Sequence, residues 1–325
     1  MQILVAIYSP FAAWCIPDAQ VAALRDEFPG HTLVHVRDDT EALAHIAGTD
    51  VVFGARLRPE QIAAAPGLRW VHSPAAGVGN MLFPAMVESA IQLTNSRGIA
   101  SVPIAEQVIA VTLALLRDLP LAWRRQQEHV WAQEEYHAAS PPRLLRDCRV
   151  LIVGVGSIGS AVASLVSGFG AEVVGIRRQA GRPVPCVGVL RPPQALDDEL
   201  PRADVIVIAA PQTAETQHLL GERELGLMRD GAVLVNVSRG KLVDEAALAR
   251  ELRRGRIRAA LDVFEHEPLA SDSPLWDSPH ALLTPHVSGH FAGYWPAATA
   301  MFAENLRRFA EGQPLLNPVD KRAGY

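Results

Sequence analysis

The chain has 325 residues, 49% of them hydrophobic and 20% charged, and 30 Lys and Arg against 35 Asp and Glu give a formal charge of −5. That length supports two domains with cores of ordinary size, and that composition excludes disorder as a global state. A mildly acidic chain without a dense basic stripe argues against nucleic acid as the main partner.

The opening residues, Met1 to Tyr8, lack a basic start and break at Ser9-Pro10, which predicts a core strand rather than a secretion signal. Apolar runs at 3–8, 32–36, 51–53, 70–73 and 91–94 predict strands, and the patterns near 17–28, 40–47 and 59–65 predict helices between them. Such alternation implies a parallel sheet covered on both faces. A long helix is expected from Ser101 through Leu119, with Ser101 as its N-cap and Pro103 in the first turn. Its most apolar stretch, 108–116, is far too short to span a bilayer. The Pro- and Arg-rich segments 140–143 and 181–193 predict loops.

A second alternation follows, with strands expected at 150–153, 172–176, 205–209, 232–237, 259–261 and 281–283. Helices are expected near 157–169, 224–228, 244–254 and 295–311, and the cluster Arg253, Arg254, Arg256 and Arg258 reads as a solvated helix end and turn. Cys15, Cys148 and Cys186 are scattered without a Cys-x-x-Cys pair, so no disulfide framework and no metal site is predicted. The chain reads as a cytoplasmic protein in a reducing compartment, with no membrane partner.

The most informative segment is Val150-Leu-Ile-Val-Gly154-Val-Gly156-Ser157-Ile158-Gly159, an apolar strand running into Gly-x-Gly-x-x-Gly and then a helical pattern. Gly154 permits the tight turn, Gly156 lets backbone approach phosphate, and Gly159 lets helix pack on sheet. A purely structural strand–turn–helix could use the same glycines; the flanking pattern favours dinucleotide binding. The next strand ends Ile176-Arg177-Arg178, with no acid at its tip. An acid there would accept from an adenosine ribose, whereas Arg can grip a 2′-phosphate through its planar fork. NADP(H) is therefore favoured over NAD(H), the competing account being that Arg177 and Arg178 are solvated loop residues. Six strands already complete a dinucleotide domain, which sends the last helix and tail back to the first domain. The expected organisation is a discontinuous domain of residues 1–98 and 289–325 beside a domain of residues 99–288, with a hinge near Gly98 and Gly289.

Three further fragments follow predicted strands: Val235-Asn-Val237-Ser238-Arg239-Gly240, Asp262-Val-Phe-Glu-His-Glu267-Pro268-Leu269, and Leu283-Thr-Pro-His286-Val-Ser288-Gly289. Open α/β sheets place ligands at the carboxyl ends of strands, so an Arg, a Glu and a His arrive at one edge beside a cofactor loop. Singly, each would pass as a surface charge or a structural histidine.

Together with Ala75-Ala-Gly-Val-Gly-Asn80, Ala105-Glu106, Ala210-Pro-Gln-Thr213, Thr216 and the ending Asn317-Pro-Val-Asp, Gly324-Tyr325, these motifs make nearly the whole chain resemble the D-isomer-specific 2-hydroxyacid dehydrogenase family. The resemblance implies an α/β fold of two Rossmann-like, doubly wound parallel-sheet domains around a cleft, the substrate domain flavodoxin-like. It implies that Arg239, Glu267 and His286 are catalytic. Imidazole titrates near neutrality and could protonate the carbonyl oxygen of a 2-keto acid. Glu267 on the other ring nitrogen would favour the imidazolium, and Arg239 could engage both carboxylate and carbonyl. Glu267 is chosen over Glu265 because it directly precedes Pro268, as in the family's Glu-Pro pattern. His266 and His290 are then bystanders.

By the same resemblance, the backbone of Ala76, Gly77 and Val78 would grip the substrate carboxylate, although a plain Gly-rich turn would explain these residues equally. Gly79 stands where the family often has Asp. Ser157 and Ile158 would meet the pyrophosphate; Ala210, Pro211 and Thr216 would border the adenosine or ribose; Val237 and Ser238 would approach the nicotinamide. Asp262 would accept from its carboxamide, unless it is a helix cap or a buried turn residue. Trp295 and Phe291 could shape the pocket or simply pack in the core. The expected activity is reduction of glyoxylate or hydroxypyruvate, in a homodimer formed through helix 105–119 and the segment bearing Trp123 and Trp131. A phosphoglycerate-type dehydrogenase is disfavoured because the chain ends soon after the last helix, and a dinucleotide-sensing corepressor is the alternative outside enzymes.

Overall fold

Alternate side chains of β1 (Gln2–Ala6) enter two different cores. Ile3 and Val5 pack with Phe53 and Trp70, whereas Leu4 and Ala6 pack with Val52 and Val71. A strand buried on both faces reads as a continuous apolar run, and period-2 geometry sends its neighbours to opposite layers. The computed structural model describes residues 1–138 and 142–324, so part of the loop expected at 140–143 lies outside the described residues.

The described chain divides into two units, residues 1–99 with 291–325, and residues 100–290. In the first, β1 is followed by α1 (Asp18–Glu27), β2 (Thr32–His35), α2 (Asp39–His45), β3 (Val51–Gly54), α3 (Pro59–Ala63), β4 (Trp70–Ser73), α4 (Pro84–Glu88) and β5 (Gln92–Asn95). The strands are all parallel in the order β2-β1-β3-β4-β5, the flavodoxin-like winding.

The second unit holds α5 (Ser101–Leu116), α6 (Leu119–Gln127), α7 (Gln133–Ala138), β6 (Arg149–Val153), α8 (Ser157–Gly168), β7 (Glu172–Ile176), β8 (Val189–Arg191), α9 (Leu196–Glu199), β9 (Val205–Ile208), α10 (Glu222–Leu227), β10 (Val233–Asn236), α11 (Glu245–Arg253), β11 (Arg258–Leu261) and β12 (Ala281–Leu283). Its parallel sheet runs β12-β11-β10-β9-β6-β7-β8, a dinucleotide-fold order carrying one further strand. The chain reverses direction across the sheet between β6 and β9, which pair directly.

Some expectations need correction. Segment 181–193 is not all loop, because β8 pairs along β7 at the sheet edge with Leu190 against Gly175. Three residues in a Pro- and Arg-rich stretch are too few to show a period. The helix from Ser101 stops at Leu116, Asp118 turns left-handed (φ 55°) and α6 restarts with Pro120 in its first turn. Proline has no N–H to continue the earlier ladder. Ser101 is not the N-cap either: Ala100 occupies that position, and the buried Ser101 hydroxyl makes no hydrogen bond. Nor are all the clustered arginines solvated. Arg258 donates to Leu115 O at 2.7 Å, and Arg256 reaches Glu251 and the carbonyls of Leu225 and Met228, acceptors that helix ends leave open.

The chain then returns to the first unit as α12 (Tyr294–Ala310), whose Phe302 stacks on Phe53 at 4.3 Å and on Trp70 at 5.4 Å between ring centroids. Beside them His72 is fully buried, with Nδ1 2.7 Å from Thr94 Oγ1 and Nε2 3.1 Å from Ser96 Oγ.

Candidate active site

At the β6–α8 turn the backbone leaves no room on one side and ample room on the other. Gly154 has φ 98°, and a Cβ there would lie 2.4 Å from Ala210 N; one on Gly159 would lie 2.2 Å from Gly154 O. A Cβ on Gly156 would meet nothing within 4 Å. No side chain caps α8, so the N–H groups of Ser157 and Ile158 face outward as donors for an anion. At the end of β7, Arg177 N donates to Arg191 O at 3.0 Å, and Arg178 is exposed. Residues 177–182 include a third arginine, Arg182, and no acid. Across the switch point Ala210 is buried against Gly154, and Pro211 is exposed. The Thr216 hydroxyl is spent inside its own loop, donating to Pro211 O and accepting from Thr213 N, both at 2.7 Å.

Strand β10 is apolar until Asn236, whose amide shapes the turn beyond. Its Oδ1 accepts from the N–H and hydroxyl of buried Ser238 at 3.1 and 3.0 Å, and its Nδ2 donates to Arg239 O at 3.0 Å. Val237 is buried in this turn. The turn rests directly on the chain after β11, since a Cβ on Gly240 would lie 1.8 Å from Phe264 C. Arg239 donates to Ser238 O at 2.6 Å. Burial holds its guanidinium below the usual range, with the Glu267 charge opposing that shift.

Glu267 Oε2 lies 2.7 Å from His286 Nδ1, and its Oε1 accepts from Phe264 N at 3.1 Å. Burial acts to raise this carboxyl's pKa, but hydrogen bonds from His286 and Phe264 and the nearby cations together hold it below the usual carboxylate range. Glu265 points elsewhere, accepting from Glu245 N at 3.0 Å and facing His218 Nε2 at 3.2 Å. Of the two acids, Glu267 is the one against the imidazole.

His286 adopts φ 54°, a conformation that needs support in a non-glycine residue. Asp262 provides it: its carbonyl accepts from His286 N at 2.8 Å, and its carboxylate accepts from Thr284 Oγ1 at 2.5 Å and from Val287 N and Ser288 N at 2.9 Å. At 2% exposure, Asp262 has the geometry of a buried turn residue. The His286 side chain is 46% exposed, and its Nε2 faces no acceptor among the described residues. His266 and His290 are exposed.

In the first unit, the segment after β4 is tied down through its carbonyls. Tyr294 Oη donates to Pro74 O at 3.0 Å, Ser96 N to Ala75 O at 3.3 Å, and Asn95 Nδ2 to Ala76 O at 2.7 Å. The N–H groups of Ala76, Gly77 and Val78 donate to no acceptor among the described residues. Backbone N–H groups left open in a turn remain available as hydrogen-bond donors. Gly79 is exposed, and a Cβ there would meet nothing within 4 Å, so an Asp would also fit. Asn236, Asn95, Ser96 and Tyr294 were not singled out from sequence. A polar residue ending an otherwise apolar strand is the signal at Asn236; Asn95 closes the mixed strand Gln92-Leu93-Thr94-Asn95 and carries no such signal.

Comparison with known proteins agrees with this geometry. Residues 109–288 match the model of the D-isomer specific 2-hydroxyacid dehydrogenase NAD binding domain. A glyoxylate reductase of Aeropyrum pernix is 34% identical over 271 residues, covering 82% of this chain and 80% of the relative. A D-3-phosphoglycerate dehydrogenase of Mycobacterium bovis is 32% identical over 319 residues, covering 94% of this chain. The chain spans only 57% of that curated relative's length. A solved D-isomer specific 2-hydroxyacid dehydrogenase from Xanthobacter autotrophicus Py2, in complex with NADPH and MES, superposes with TM-score 0.86 at 30% identity, covering 100% of this chain and 99% of that one. The chain belongs to the D-isomer specific 2-hydroxyacid dehydrogenase family.

Proposed function

We propose that the protein is an NADP(H)-preferring reductase that converts a small 2-keto acid, glyoxylate or hydroxypyruvate, to its D-2-hydroxy acid. The observation that carries this proposal is the convergence of Arg239, Glu267 and His286 from three strand ends of one sheet. The second unit fits a dinucleotide: Gly156 leaves open space before the uncapped N–H groups of α8, and Gly154 is pressed on Ala210. Gly154, Gly156, Ser157, Ile158 and Gly159 would hold the pyrophosphate, with Ala210, Pro211 and Thr216 beside the adenosine half. Val237, Ser238, Arg239, Asp262 and His286 would border the nicotinamide, which supplies the hydride when bound. The hydrogen bonds of Asp262 within its own turn leave it about one acceptor site for a carboxamide.

His286 donates a proton from Nε2 to the carbonyl oxygen as that oxygen gains charge, while Glu267 holds the other ring nitrogen and fixes the ring. Arg239 binds carboxylate and carbonyl with two edges of its fork, and its partial burial strengthens that contact. The free N–H groups of Ala76, Gly77 and Val78 take the carboxylate.

Arginines without an accompanying acid at the end of β7 favour the 2′-phosphate, and the NADPH complex of the Xanthobacter relative supports that preference. NADH would serve less well. We also place the protein in the cytoplasm, as its free cysteines suit a reducing compartment, and no described helix is long and apolar enough to cross a membrane. Exposed Trp123 and Trp131, 52% and 89% accessible, support a homodimer through this segment. The test is loss of nicotinamide absorbance with glyoxylate, hydroxypyruvate and 3-phosphohydroxypyruvate, each with NADPH and NADH. Turnover of the first two with NADPH is expected. A preference for the phosphorylated acid would move the substrate towards that of the mycobacterial relative, and no turnover with any acid would overturn the assignment.

A further inference from the structure

Glu265, the acid that does not reach the imidazole, is engaged on every side. Its carboxylate lies two residues before Glu267 in the chain and is 24% exposed. Oε1 accepts from the N–H of Glu245, the first residue of α11, at 3.0 Å, and the Glu265 N–H donates back to Glu245 Oε2 at 3.1 Å. Asp244, the N-cap, is occupied with Ala247 N at 2.8 Å, so Glu265 supplies the acceptor that the cap leaves wanting. An anion there also meets the positive end of the helix dipole.

The same Oε1 lies 3.2 Å from His218 Nε2. His218 N donates to Lys241 O at 2.7 Å, Leu220 N to Leu242 O at 3.0 Å and Asp244 N to Leu220 O at 3.0 Å, which laces residues 218–220 to residues 241–244. Glu265 ties both segments to the chain after β11. That chain has one task in the chemistry proposed above, the placing of Glu267. Apart from the imidazole, the only hydrogen-bond partner of the Glu267 carboxylate among the described residues is Phe264 N, at 3.1 Å. Phe264 directly precedes Glu265, and a Cβ on Gly240 would lie 2.3 Å from Glu265 N, so the aim of Glu267 depends on how firmly this short turn is held.

Resting on the reductase assignment above, we propose that Glu265 is a positioning residue for the proton donor: it fastens residues 264–267 to α11 and to His218, and so keeps Glu267 against Nδ1 of His286. It acts through Glu267 and not on substrate or cofactor. The Glu245 N–H and His218 Nε2 can donate to an amide oxygen as they do to a carboxylate, so Gln can stand in for Glu265 and Ala cannot.

The test is kcat and KM for glyoxylate at saturating NADPH, with a melting curve, on the wild type, Glu265→Ala and Glu265→Gln. Loss of the tie should lower kcat roughly tenfold with KM little changed, because a small misplacement of the acid acts on the chemical step. Glu265→Gln should recover kcat to within about threefold of the wild type. Unaltered kcat in Glu265→Ala, whatever its melting temperature, overturns the proposal, and so does a Gln variant as slow as the Ala one. Where Glu265→Ala does not fold, Glu265→Asp, which keeps the charge but withdraws the acceptor by one methylene, takes its place with the same expectation. If no 2-keto acid is reduced, the reductase assignment fails by itself, and amide hydrogen exchange still decides on Glu265. Exchange of the Phe264 N–H should quicken roughly tenfold in Glu265→Ala and keep its wild-type rate in Glu265→Gln, with Leu4 of β1 as the unmoved control. Unchanged exchange at Phe264 in the Ala variant overturns the proposal.

Discussion

Acid should loosen the first unit through one buried imidazole. His72 has no exposed surface, and both its ring nitrogens lie against hydroxyls of β5 and the residue beyond it. Burial pushes its pKa down to about 3 from the ordinary 6.5. The folded unit thus keeps this ring neutral while the unfolded chain protonates it, so stability is full above pH 6.5 and declines as pH falls towards 3. One unit of pKa difference corresponds to about 1.4 kcal/mol, and protonation of the unfolded state between pH 7 and pH 5 costs about 2 kcal/mol. That is a sizeable part of the stability of an ordinary domain. Urea unfolding followed by the fluorescence of buried Trp70, 5.9 Å from the His72 ring, reads this unit directly. The wild type should lose about 2 kcal/mol more than His72→Gln over that pH interval. Equal losses, or an NMR titration of the His72 ring centred near 6.5, would refute the reasoning.

Three predictions concern the proposed site. His286→Asn keeps a residue that tolerates the left-handed backbone but removes the acid, so kcat should fall roughly 10²–10⁴-fold with the melting curve little changed; near-normal turnover would remove His286 from the mechanism. Arg177→Asp should raise KM for NADPH far more than for NADH, and an equal effect on both would mean that the 2′-phosphate is held elsewhere. Asp262→Ala strands the donors of Thr284, Val287 and Ser288 and should cost roughly 2–4 kcal/mol in denaturant titration, with activity lost as well; a fully stable, inactive variant would contradict its structural role.

Much of this architecture shows in the residue pattern because buried parallel strands are written as unbroken apolar runs. Strands such as Trp70–Ser73 and Glu172–Ile176 could be bounded to the residue. Strand β8 could not, since it is a short edge element whose order comes from pairing with β7 rather than from its own side chains. The same limit applies to helix ends: Asp118 breaks α5 by a backbone conformation that no periodicity announces. At the site, Arg239, Glu267 and His286 were visible as reactive groups at strand ends. Asp262 was visible beside them, a buried turn residue among its readings, whereas Asn236 was not. Asn236 and Asp262 act through short-range hydrogen bonds to backbone, and such bonds depend on turn geometry rather than on spacing.

The left-handed conformation of His286 is maintained from Asp262, which accepts from the neighbouring backbone N–H groups, and not by the imidazole itself, which is half in solvent. Scaffold and reactivity are therefore written at separate positions. A descendant of this chain could discard its proton donor in a single substitution and keep the turn and the dinucleotide loop whole. On the function proposed above, what remained would keep its dinucleotide loop while losing the step that needs the imidazole.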